Sequence, residues 1–382
     1  MTRLRRTVRQ LVHSTSSYGL TCAIVLLLMG VLYLGTYQQR DLGLATVQAR
    51  YFFSAFWWWR LGPIHVPLPG ALTLLSMLAL NLLCGGLLRI RWQARTAGIV
   101  IVHLGVLALL GSGLVSHLTG TNGYLKLFPG EQAAEYVSFR DFELVIGEPL
   151  GDGGMREFCV PESVLRHGTP AHAPGLPFTV RATRFLDSCV PQRARTADAR
   201  EVVDGLYLAG TRARSGVPAV PGVYLEIVQA GRTVQRGMLW GRQRAPWTAE
   251  IDGSAWSFDL RPQVFDLPFT VRLESFTKET HPGVDTPRKF VSEVTRIAGD
   301  VRQNFHIAMN EPMRYGGFML SQNSWGPQGA ARGPYWSMLE VSSNPTDQWP
   351  KYACFVVAFG LLLHFGRKLI VYLERQRRRR TA

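Results

Sequence analysis

The sequence predicts a membrane protein of four transmembrane helices, with a large extracytoplasmic antiparallel β domain inserted between helices 3 and 4. Three observations predict it. Four stretches are apolar enough to cross a hydrocarbon core of about 30 Å, which takes roughly 20 helical residues. The excess positive charge lies beside those stretches, and the long segment between the third and fourth alternates apolar and polar residues with the period of strands.

The elements follow in order. Residues 1–17 form a basic N-terminus containing Arg3, Arg5, Arg6 and Arg9. Transmembrane helices 1–3 occupy 18–118, at about 18–37, 68–89 and 97–118, the β domain 119–350, the fourth helix 351–373, and a basic tail 374–382. Arg367 and Lys368 interrupt the end of the fourth helix, where long basic side chains can snorkel to the headgroups. The first stretch reads as an uncleaved anchor, because it lacks a small-x-small cleavage site.

Three segments carry fourteen basic residues and one Glu, or +13 of the formal +15: Met1–Ser16, Arg89–Arg95 and Gly366–Ala382. By the positive-inside rule the N-terminus, the turn Ile90–Thr96 and the C-terminal tail are cytoplasmic. The loop Gln38–Pro67 and the β domain are then outside. The rest of the chain is near neutral and has no basic face with interleaved aromatics, so no nucleic acid is expected as a partner. Membrane lipid is. A composition 47% hydrophobic and only 18% charged excludes disorder.

Within the β domain, alternation places Phe142, Leu144 and Ile146, then Phe178, Val180 and Ala182, Val223, Leu225 and Ile227, and Phe269, Val271 and Leu273 on inward faces. Gly and Pro clusters separate the runs, which suits a sandwich or an open barrel. In the first outer loop YFFSAFWWWR carries Trp57, Trp58 and Trp59, an interfacial pattern in which a heme or substrate contact is the alternative. His65 follows it.

Cys22, Cys84 and Cys354 fall in the apolar stretches. Cys159 and Cys189 lie outside, where a disulfide is permitted but not implied. There is no CxxC, CxxCH, Walker A, GxSxG or HExxH, so hydrolysis, ATP use and thiol–disulfide carriage have no residues to support them.

The chemistry that remains is intramembrane histidine, which is costly in lipid unless it faces a cavity, a partner or a cofactor. His103, His117 and His364 qualify, and neutral imidazole is the usual protein ligand of heme iron. At about 1.5 Å rise per residue, His103 and His364 sit at comparable depth on the inner side, so the two could share one iron, while His117 reaches the outer surface. Gly105 beside His103 leaves room for something flat against the helix. For each histidine the plain alternative is a ring hydrogen-bonded to a helix carbonyl or hydroxyl.

HPGVDTPRKFVSEVTRI (His281–Ile297), HIAMNEPMRYGGFMLSQNSW (His306–Trp325), SMLEVSSNP (Ser337–Pro345) and GLLLHFGRKL (Gly360–Leu369) resemble the ResB family of type II cytochrome c biogenesis, as does HLG in the third helix. The middle of the β domain does not. The resemblance implies a subunit of a holocytochrome c synthase complex that is not self-sufficient as an enzyme. With a ResC/CcsA-type WWD membrane protein it would carry heme across the membrane and support its attachment to apocytochrome c, with thiol-reducing proteins involved indirectly. It implies His103 as an axial ligand to the iron of a transported, non-covalent heme b, the opposite ligand coming from the partner. His364 is the alternative ligand. The Trp57–Trp59 run is not the partner's WWD signature. Within the C-terminal motifs Pro312 and Gly316–Gly317 set a turn between strands; Asp285, Asn310 and Arg314 are expected to specify fold, a contact to apocytochrome or a heme propionate being the alternative. Two other readings stay open: an assembly scaffold without heme contact, and a b-type electron-transfer subunit using His103 and His364 as its own pair.

Overall fold

The computed structural model describes the chain apart from residues 1–13, 151–152, 173, 195–200, 212–218, 284–286, 328–334 and 382. Arg3, Arg5, Arg6, Arg9 and Asp285 therefore lie outside the described residues. The chain divides into two units, Met1–Gly120 with Asn344–Ala382, and Thr121–Ser343.

The first unit contains four helices long and apolar enough to cross a membrane. They are α1 (Tyr18–Leu42), α2 (Ala71–Leu82), which runs on as a π-helical turn Leu83–Leu88, α3 (Ala97–Thr119) and α4 (Trp349–Thr381). Helix α1 opens at Ser17, whose hydroxyl accepts the Leu20 N–H at 3.1 Å, satisfying one of the free donors of its first turn. It outruns the apolar stretch by five residues and stops at Gly43, where φ is +75°, a backbone state glycine adopts without strain. Helix α4 likewise continues through the basic tail, since Glu, Gln and Arg are good helix formers.

Polar and small residues join the helices, as expected where lipid offers no hydrophobic contrast. Buried Asn81 on α2 accepts from the Thr21 hydroxyl at 2.8 Å and donates to the Thr15 carbonyl at 2.6 Å. Helices α3 and α4 touch backbone to backbone: a Cβ at Gly98 would lie 2.8 Å from the Gly360 carbonyl oxygen and the His364 nitrogen, and one at Gly360 would lie 2.9 Å from the Gly98 oxygen. Higher up, the Thr346 hydroxyl donates to the Ser112 carbonyl at 3.1 Å. Between α1 and α2 the chain makes helical turns to Phe52 and then a hairpin, β1 (Phe56–Leu61) against β2 (Ile64–Pro69), turning at Gly62 with φ +62°.

The second unit is antiparallel throughout among its described strands. Ten of them form one curled sheet ordered β14, β13, β12, β4, β3, β17, β16, β15, with β5 on β4 and β11 on β12. Their ranges are β3 Thr121–Leu127, β4 Gln132–Pro149, β5 Met155–Pro161, β11 Trp247–Ile251, β12 Ser254–Thr280, β13 Pro287–Ala298, β14 Val301–Ala308, β15 Met313–Tyr315, β16 Phe318–Gly326 and β17 Trp336–Ser343. A second sheet of β10 (Arg232–Trp240), β9 (Gly222–Gln229) and β6 (Thr179–Leu186) covers part of the first, and β7 (Cys189–Arg193) pairs with β8 (Leu206–Gly210).

There are two cores. One lies between the two sheets and holds Leu144, Ile146, Val180, Leu225, Ile227, Leu239, Phe258 and Leu260. The other fills the curl of the large sheet with Val271, Leu273, Val294, Ile307, Leu320, Leu339 and Val341. The unit thus combines a sandwich and an open barrel. All twelve residues assigned inward by alternation are buried. Strands β4 and β12 belong to both lobes: Ser257–Pro262 pair with Phe142–Gly147 in the sandwich, and Val264–Asp266 with Glu135–Val137 in the barrel, with bulges where β12 changes lobes. The barrel curls until Ala308 at one end of the sheet bridges Glu311 beside the other.

In the C-terminal motif the hairpin β15–β16 turns on Gly316 and Gly317, both at positive φ (58° and 84°), the state a two-residue hairpin loop needs. Pro312 stands just before β15 and is not part of that turn, which corrects the expected role.

Candidate functional site

His103 lies on α3, and its Nδ1 is 2.7 Å from the Ile99 carbonyl oxygen one turn below. A carbonyl only accepts, so Nδ1 is the donor, and in a neutral ring Nε2 is then the atom that holds the lone pair. The ring lies against Gly86 in the π-helical turn after α2: a Cβ there would overlap His103 Cδ2 and come within 2.5 Å of Cγ. Glycine at 86 is therefore what admits an imidazole at this point. A π-helical turn shifts the faces of the residues that follow it and is frequent at functional sites; here it brings a backbone with no side chain against the ring.

The other sequence candidates are placed elsewhere. His364 sits with its backbone nitrogen and Cβ at Gly98, and its ring meets Phe365 edge to face at 5.3 Å. Five residues separate Gly98 from His103, so at about 100° and 1.5 Å per residue the two positions differ by about 140° and 7.5 Å along α3. His103 and the Gly98 position against which His364 packs thus lie on different faces of α3. Gly105 does not leave room beside His103 either. It is buried against α4, where a Cβ would lie 2.6 Å from Val357 Cγ2 and 3.1 Å from the Ala353 oxygen. His117 is exposed at the far end of α3 and stacks on Phe53, centroids 4.6 Å apart. Exposed His65 is on β2 and lines an open cleft with Arg50, Ser54, Phe56, Trp57 and Trp58. Asn310 and Arg314 are exposed on the β unit, Asn310 in a turn at φ +65°.

Cys159 and Cys189 are free thiols. Cys189 is buried beside Leu208 and Tyr224, and Cys159 is exposed on β5. Burial pushes Cys189 up to about 11; Cys159 is also raised, by burial first and then by the Glu143 carboxylate. Neither is poised as a thiolate nucleophile, since reactivity follows the thiolate fraction.

One feature of the barrel had no signal in the sequence. Arg296 on β13 is 3% exposed, with its guanidinium 3.8 Å from the centre of the Tyr315 ring and Nη2 3.4 Å from Gln303 Oε1. Its Nε and Nη1 have no partner among the described residues. A buried cation without a carboxylate is costly, and apolar replacement of buried charge is often neutral or stabilising by about 1–4 kcal/mol. Arg296→Met, which keeps a straight chain over Tyr315, is expected to leave the melting midpoint of the detergent-solubilised full chain unchanged or raised. A clear fall in the midpoint would mean the guanidinium has a partner that the described residues do not supply.

Four apolar helices with an antiparallel β region between the third and fourth define the class: a candidate multi-span membrane protein carrying one large β unit. Residues 237–333, about a quarter of the chain, match the ResB-like family, and over that stretch the resemblance to ResB holds. It takes in the His281–Ile297 and His306–Trp325 motifs, but not Ser337–Pro345, Gly360–Leu369, His103 or His364. No curated protein matches the chain. The ResB-like match implies involvement in cytochrome c biogenesis, in which ResB proteins generally work with a CcsA/ResC-type partner.

Proposed function

We propose that this chain is the heme-handling ResB-type subunit of a type II cytochrome c synthetase complex in the plasma (inner) membrane. With a ResC/CcsA-type WWD partner it carries heme outward and supports its covalent attachment to apocytochrome c. The N-terminus and the C-terminal tail are cytoplasmic and the β unit extracytoplasmic, in keeping with the arginines at both termini and at the α2–α3 turn.

The observation that supports this reading is the state of His103. Its proton is held on Nδ1 by the Ile99 carbonyl, which orients the ring and leaves Nε2 as the donor atom a metal requires. Heme b, when bound, would supply an iron to which such a nitrogen could coordinate. His103, fixed by one hydrogen bond and by Gly86, is the residue of this chain that would hold the heme, and His364 packs at Gly98 instead. The opposite ligand accordingly belongs to the partner. Among the described residues the cysteines are unpaired and both Cys159 and Cys189 are held as thiols; thioether formation then uses the cysteines of apocytochrome c, kept reduced by thiol-reducing proteins.

The test is the absorption spectrum of the chain purified with its partner. The wild type is expected to show a b-type heme. His103→Ala is expected to lose most of it, and added imidazole to restore it by filling the space left by the ring. Unchanged heme content in the variant would leave the chain as an assembly scaffold.

A further inference from the structure

We infer that the hairpin between α1 and α2 grips the headgroup of an anionic phospholipid. The cleft has a volume of about 640 Å³ and is lined by Arg50, Ser54, Phe56, Trp57, Trp58 and His65. It lies after the end of α1 and before the start of α2, so in a membrane it falls at the level where hydrocarbon gives way to headgroups.

Charge selects the ligand. The Arg50 guanidinium lies 5.4 Å from the Tyr51 ring centre and 5.9 Å from that of Trp57, and donates one long hydrogen bond, 3.4 Å, to the Trp58 carbonyl. No carboxylate is within ion-pair distance of it among the described residues. A guanidinium held by ring faces keeps its remaining N–H groups for an outside acceptor, and its planar fork matches a phosphate. His65 adds a ring nitrogen, while the Ser54 hydroxyl already donates to the Arg50 carbonyl. Trp57, though 6% exposed, has an indole N–H with no acceptor among the described residues. Donors therefore predominate in the lining, with no acid to repel an anion.

The rim selects a lipid over a free anion. Phe56 is 60% exposed and Trp58 58%, and Trp59, Ile64 and Phe53 are exposed with them. Such rings prefer the headgroup boundary, with one edge in acyl chains and the other in water. A small soluble anion would use the guanidinium and leave these rings in water; a phosphodiester with acyl chains uses both. This inference needs only that the helices span a membrane, and it stands whether or not His103 binds heme.

The test uses the full chain with its partner in nanodiscs holding equal amounts of phosphatidylglycerol and phosphatidylcholine. Native mass spectrometry of the released complex counts the retained lipids. Phosphatidylglycerol is expected to be retained over phosphatidylcholine by about fivefold for the single cation. Arg50→Gln is expected to bring the ratio to parity and Arg50→Lys, which keeps the charge without the planar fork, to keep only part of it, co-purification with the partner being unchanged in both. A second measurement needs no variant: brominated phosphatidylglycerol should quench wild-type tryptophan fluorescence more than brominated phosphatidylcholine at equal content. Equal retention by the wild type, or an unchanged ratio in Arg50→Gln, overturns the assignment. Displacement of the retained lipid by millimolar glycerol phosphate also overturns it, in favour of a small-anion site, and displacement by free heme but not by its dimethyl ester overturns it in favour of a porphyrin-carboxylate site.

Discussion

Gly86→Ala is expected to remove most of the b-type heme from the purified complex while leaving His103 in the chain. The added Cβ would overlap the ring at Cδ2 and lie 2.5 Å from Cγ and 2.9 Å from Cβ of His103. The ring has no easy retreat, because moving it breaks the Nδ1 hydrogen bond to Ile99 at 2.7 Å. Inserting a methyl into such a packed contact costs typically about 1–3 kcal/mol, and here the displaced group is the proposed ligand. Loss of the Nδ1 anchor also releases the proton to either nitrogen, so Nε2 is no longer the defined donor. Gly113→Ala on α3 is the control: nothing lies within 4 Å of its added Cβ, and heme content should match the wild type. The two variants are compared by heme absorption per protein. If both retain full heme, the ligand is not the imidazole at 103, whatever family the chain resembles.

The reason Gly86 was not legible in the sequence is instructive. Helix α2 reads as one apolar stretch, and nothing in LLCGGLL shows that the last turn is π-helical, so the face on which Gly86 emerges cannot be counted from Ala71. The contact with His103 is a property of two helices and their relative rotation. By contrast, the direction of Gly105 is legible in helix geometry: two residues along a helix turn the side chain by about 200°, so a glycine at 105 faces away from His103. For His103 and His364, rise along the helix without its rotation does not say which groups meet.

The β unit was legible where residues alternate and illegible where strands are shared. Each inward triplet, such as Leu144 with its neighbours, carries its own period, and burial follows from that period. The passage of β12 from one core to the other has no local signal. Its 27 residues contain Pro262 and Pro268, which read as breaks, yet the strand continues because bulges place these prolines where the ladder is irregular. The Arg296–Tyr315 stack was missed for a related reason: arginine in an alternating strand reads as an outward residue, and only closure of the barrel turns it inward.

Phe258→Ala is expected to destabilise the β unit by about 3–5 kcal/mol, the usual cost of truncating a fully buried phenylalanine. Phe258 is completely buried, with Phe178 6.0 Å and Trp247 5.0 Å away between ring centres. The site is hemmed in by two ordered strands of the large sheet and by the second sheet, so it closes poorly over a cavity. The more informative part is where the loss is felt. Phe258 pairs with Ile146 on β4, and the same two strands reach the barrel at Val264–Val137 and Phe265–Tyr136. When the sandwich opens, β4 and β12 lose their register, and the barrel strands β13 and β3 that pair with them lose their template. Amide hydrogen exchange of the full chain in detergent should therefore show faster exchange in β6, β9 and β10 and also in β13 and β3, by similar factors. If the change stops at the sandwich strands, the two cores open independently and the shared strands do not couple them.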